Sequence, residues 1–172
     1  MKKTLAVVIA LILLLSAVAA AQAQDETLIF LLWSGAEYTV NPDDTVYLVF
    51  GWYACNQGLL KAAQNALGLE ITVDGEPFYQ IVKKDPYWGA PFPVGPIEYC
   101  IPAASASPVQ SNWFFPLDLS QFELDEEYEL STSIWFDHQI TDGVDGDGDG
   151  KQDFYSGVVY SGTVTLTVTE TP

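Results

Sequence analysis

The apolar positions of this chain fall into short runs of period two, separated by turn residues. "TLIFLLW" (27–33) is a continuous apolar run suited to a buried strand, and "NPDD" (41–44) is a turn. In "TVYLVFGWYAC" (45–55), Val46, Leu48, Phe50 and Trp52 share one face, and Tyr47, Val49 and Tyr53 the other. Both faces are apolar, so the spacing predicts a central strand. "LEITV", "DG" and "EPFYQIV" (69–82) predict a hairpin, with Asp74 and Gly75 supplying a positive-φ turn. "NWFFPL" (112–117) predicts another strand. In "EYELSTSIWF" Tyr128, Leu130, Thr132, Ile134 and Phe136 point one way; in the last segment Val164, Leu166 and Val168 face inward and threonines face water.

Two stretches break this rhythm. "QGLLKAAQNALG" after Asn56 predicts one short helix following the second strand, with Leu59, Ala63, Ala66 and Leu67 on its buried face and Gly68 ending it. From Lys83 to Pro108 the chain carries six prolines between Asp85 and Pro108, which argues against regular strands. About six to eight strands, no internal repeat and no alternating helices predict an all-β antiparallel sandwich; a closed barrel has the same strand count.

"FELDEEYEL" (122–130) sharpens the choice. Phe122 and Tyr128, followed by alternation, resemble the corner before a late strand in fibronectin type III and immunoglobulin-like domains. The resemblance implies an immunoglobulin-like sandwich whose tyrosine hydroxyl bonds to the backbone across the corner.

The amino terminus reads as an address. Lys2 and Lys3 precede the apolar "TLAVVIALILLLSAVAA", and "AQA" ends at Ala23. This predicts a signal peptide over 1–23 and one domain over 24–172, secreted or held at the extracellular surface, with no stable membrane insertion after cleavage. The apolar run is also long enough to stay as an anchor. Export takes Cys55 and Cys100, the only two cysteines, into an oxidising compartment, which predicts a disulfide between them. The formal net charge is −17, with six lysines and no arginine. Such a chain repels phosphate backbones, so nucleic acid is excluded as a partner.

Charge concentrates in "DGVDGDGDGKQD" (142–153). Asp145, Asp147 and Asp149 alternate, Gly150 follows, and Asp153 comes three later. This D-x-D-x-D-G-x-x-D pattern resembles the calcium loops of EF-hands and thrombospondin type 3 repeats. Calcium takes six to eight oxygens in a flexible shell. Three carboxylates at alternate positions converge on an ion if the chain curls, Gly150 permits the turn, and the Lys151 carbonyl and Asp153 would add oxygens. An EF-hand places a glutamate at the twelfth position, where this chain has Ser156. The expectation is therefore a calcium loop inside a β-hairpin, acting as a staple. The competing reading is an acidic turn without an ion.

The proline-rich connection carries Tyr87, Trp88, Phe92 and Tyr99. These rings either stack on a glycan or protein ligand, or fold over the sandwich end; packing is the weightier reading. His138 is the only histidine. Its neighbour Asp137 is expected on the opposite strand face, and no nucleophile elbow, phosphate loop or zinc spacing occurs. The pattern favours a non-catalytic exported module of surface-structural or ligand-binding type. A secreted hydrolase or a carbohydrate-binding module acting on polysaccharide is the alternative.

Overall fold

The structure, a computed structural model, describes residues 26–81, 85–95, 99–102 and 106–170. The leader expected over 1–23 lies outside the described residues. The fold is an all-β sandwich of two mixed sheets. The strands are β1 (Glu26–Phe30), β2 (Glu37–Val40), β3 (Thr45–Ala54), β4 (Leu67–Val73), β5 (Glu76–Ile81), β6 (Phe92–Pro93), β7 (Val109–Leu117), β8 (Glu127–Ile140) and β9 (Tyr155–Val168). One sheet has the order β1-β3-β7-β6 and the other β2-β9-β8-β4-β5.

Most pairings are antiparallel, as the alternation predicts. Two are not: β1 runs parallel to β3, and β2 parallel to β9. The expected strand over 27–33 ends at Phe30, and a turn then carries the chain to the other sheet. The helix therefore follows the third strand, not the second, because β2 has too little apolar alternation in "EYTV" to announce itself. Among its described residues the proline-rich connection contains only the two-residue β6.

Helix α1 (Gln57–Ala66) begins where Asn56 Oδ1 accepts from the Leu59 N–H at 3.0 Å, a cap worth about 1 kcal/mol. Leu60, Ala63 and Ala66 are buried, and the helix rests on β8, β3 and β7, plugging one end of the sandwich. Leu59 turns instead toward the cysteines. Gly68 does not end the helix. Leu67 is already the first residue of β4, and a Cβ on Gly68 would lie 2.2 Å from the Trp135 ring. The glycine makes room for an indole rather than for a turn.

The Asp74–Gly75 hairpin forms as expected, with φ of 51° and 82°. Between the sheets Leu48, Phe50, Leu69, Ile71, Leu130, Ile134 and Leu166 are buried. Burying each such side chain contributes about 1.5–3 kcal/mol. Fully buried Trp113 lies against Phe50 at 5.3 Å and Phe115 at 5.6 Å. At the corner before β8, the Tyr128 hydroxyl accepts from the Glu123 N–H at 2.7 Å, and the Phe122 and Tyr128 rings meet edge to face at 4.9 Å.

Candidate metal centre at the β8–β9 connection

The acidic loop begins as part of the fold. Asp142 is buried, and its carbonyl accepts from the Cys55 N–H at 2.7 Å. The Gly143 carbonyl accepts from Ile101 N–H at 2.9 Å, and Asp145 N–H donates to the Tyr99 carbonyl at 2.9 Å. Val144 bridges Cys100. The segment 142–145 is thus threaded between the end of β3 and residues 99–101. Cys55 and Cys100 are disulfide-bonded across a Cα–Cα distance of 5.7 Å and 45 residues of chain. Closing such a loop stabilises by about 3–4 kcal/mol in the chain-entropy account. Val144 and the half-buried Leu59 pack on the bridge.

Beyond this anchor the chain curls. Asp145 Oδ1 accepts from Gly148 N–H at 2.7 Å and Asp149 N–H at 3.0 Å, while Oδ2 accepts from Gly150 N–H at 2.9 Å. Gly150 has φ of 84°, the left-handed conformation that the sharp turn needs. Asp147 accepts from Asp149 N–H at 3.0 Å, and Asp149 from Lys151 N–H at 2.8 Å. As a result Asp145, Asp147 and Asp149 each offer an oxygen within 4.8 Å of the others, an arrangement that could hold a metal ion. Asp145 is buried; the other two are exposed.

The other expected ligands are Asp153 and the Lys151 carbonyl. Asp153 Oδ2 accepts from Gly146 N–H at 2.9 Å, and Asp153 N–H donates to the Val144 carbonyl at 2.7 Å, closing the loop at its neck. Lys151 sets its Nζ 3.5 Å from Asp149 Oδ2, with both side chains exposed. Asp142 stays out of the cluster and bonds Val144 N–H and Tyr155. Burial pushes its carboxyl above the ordinary carboxylate range, and the charge of Asp153 adds to the rise.

The four aromatic residues of the proline-rich connection do not share one face. Tyr87 and Trp88 pack against the core. Trp88 meets Phe50 edge to face at 5.2 Å, and Tyr87 meets Phe115 at 5.2 Å. Phe92 stands exposed on β6, and exposed Tyr99 flanks the acidic loop. Asp137 and His138 are not separated by the strand: His138 Nδ1 contacts Asp137 Oδ1, both exposed. The expected opposition of faces fails because the β8–β9 register breaks between Phe136 and Ile140.

Sequence reasoning passed over Asp85. It is buried and accepts from Tyr79 Oη at 2.6 Å, Tyr87 N–H at 2.8 Å and Trp113 Nε1 at 3.1 Å. A lone acid heading the aromatic, proline-rich "DPYWGAPF" was the available signal. Among the described residues no helix is long and apolar enough to cross a membrane. Compared with known protein families, with characterised proteins and with solved structures, the chain shows no match.

Proposed function

We propose that this protein is an exported, non-catalytic β-sandwich module of immunoglobulin-like type, stapled by calcium in the loop from Asp145 to Asp153. The observation that carries this reading is the convergence of three carboxylates held by their own loop backbone. Without a cation, three such charges repel one another. With one, hard oxygen donors at alternate positions suit calcium better than zinc, which takes nitrogen and sulfur, or magnesium, which dehydrates reluctantly. The strand order and the Tyr128 corner support the immunoglobulin-like assignment.

The ion's role in this reading is structural. The loop is fastened through Asp142 to Asp145 onto the disulfide and the end of β3, so tightening it tightens that corner. At 100-fold excess over its dissociation constant, calcium adds about 2.7 kcal/mol by linkage. For a domain of this size that raises the melting temperature by roughly 5–10 °C. Calorimetry in calcium, in magnesium and in chelator tests it. Equal melting temperatures in calcium and chelator would remove the reading.

A further inference from the structure

The outer side of the β1-β3-β7-β6 sheet differs from the rest of the surface. Strand alternation and register set Leu28 and Phe30 of β1, Tyr47 to Tyr53 of β3, and Gln110 to Pro116 of β7 in facing rows there. Among the described residues Glu26, at the start of β1, is the one charged side chain in these outward rows, in a chain with 23 acidic residues.

Gly51 lies within this side, and the amides of Gln110 and Asn112 occupy the space its missing side chain leaves. A Cβ on Gly51 would meet Asn112 Oδ1 at 2.5 Å and Gln110 Nε2 at 3.1 Å. Gln110 Nε2 donates to Asn112 Oδ1 at 2.7 Å. That bond fixes both amides and leaves Gln110 Oε1 as an acceptor and Asn112 Nδ2 as a donor. Beside them Trp33 stacks on Phe30 at 4.4 Å with 26° between the ring planes. One ring face is thereby supported, while Trp33 is still 60% exposed. A cleft of about 240 Å³ is lined by Trp33, Leu32, Gly51 and the amide pair.

We propose that this side of the sheet binds a neutral polysaccharide. The C–H face of a sugar ring stacks on Trp33, as apolar surface does on an aromatic ring. Neighbouring hydroxyls, each both donor and acceptor, pair with Gln110 Oε1 and Asn112 Nδ2. Charge selects the class: an anionic polymer is repelled by the chain as a whole, and a cationic one is drawn to the aspartates rather than to a face whose one acid, Glu26, sits at its end. The proposal goes beyond the calcium reading and does not depend on it, since the acidic loop joins strands of the other sheet.

Affinity electrophoresis in calcium buffer, through gels containing soluble β-glucan, galactomannan or xylan, tests it, with polygalacturonate as the charged control. We expect at least one neutral polymer to retard the protein and polygalacturonate not to. Trp33→Ala should weaken retardation roughly tenfold with an unchanged melting curve. Trp33→Tyr should restore most of it, and Asn112→Ala should weaken it independently. Absence of retardation by all three neutral polymers overturns the proposal. So does retardation that ignores both alanine substitutions. Size-exclusion chromatography supplies a third overturning result: a wild-type dimer that Trp33→Ala makes monomeric would mean the face joins two copies of the chain. A failure of calcium to raise the melting temperature leaves this test intact.

Discussion

Asp85 and the aspartates of the β8–β9 loop solve the same problem in opposite ways. Asp85 is buried and takes donors from three different elements: a tyrosine on β5, an indole on β7 and a backbone amide two residues on in its own connection. Its oxygens are used up by the fold, and it latches the aromatic core. Asp145, Asp147 and Asp149 take donors almost wholly from their own loop. Their oxygens still converge, and among the described residues Lys151 is the only cation paired with them. A carboxylate that ties two strands together is architecture; carboxylates satisfied within one loop and left crowded are ready for an ion.

Substitution separates the two. Asp85→Ala strands the buried Trp113 Nε1 and two half-buried donors and should cost about 3 kcal/mol, read by urea denaturation; a loss under 1 kcal/mol would place it with the loop aspartates. Replacing Cys55 and Cys100 together by serine should cost about 3–4 kcal/mol. It should also weaken calcium binding measured by titration calorimetry, because segment 142–145 loses its backing. Asp147→Asn should leave stability in chelator within about 0.5 kcal/mol of the parent. It should lower calcium affinity about tenfold, which removes about 1.4 kcal/mol of linked stability at saturating ion.

The smallest effect is alkaline. Burial raises the Tyr79 phenol above its ordinary value of 10.0, and the bond to Asp85 and its charge raise it further. The unfolded chain releases that proton near pH 10 while the folded chain keeps it. The contribution is therefore complete below pH 10 and is lost as the pH climbs toward the folded value. Tyr79→Phe should flatten the fall in stability above pH 10, followed by denaturant titration at successive pH values.

The same contrast explains what the chain discloses in advance. The loop is local chemistry: three aspartates at alternate positions and Gly150 make their own geometry, so the clustering was legible, as were the hairpin at Asp74 and the buried row on β8. Asp85 depends on Tyr79 and Trp113, the latter 28 residues away, and no spacing announces such a bond. The two parallel pairings were illegible for the same reason. β1 and β2 are short, and their neighbours are set by how the sandwich closes rather than by their own pattern. Gly68 misled because its function is to admit Trp135, a residue far along the chain.

The parallel edge strands have a mechanical side. Tension drawn in before β1 and out after β9 pulls β2 toward its start and β9 toward its end, along strands that run in the same direction. The rungs between Glu37–Val40 and Thr165–Val168 are then loaded in shear and share the force, instead of peeling one at a time as in a hairpin pulled from its open end. β1 against β3 is loaded in the same sense. Two short ribbons thus act as clasps, and a stretched chain would resist at its edges before the long β8–β9 ribbon carried any load.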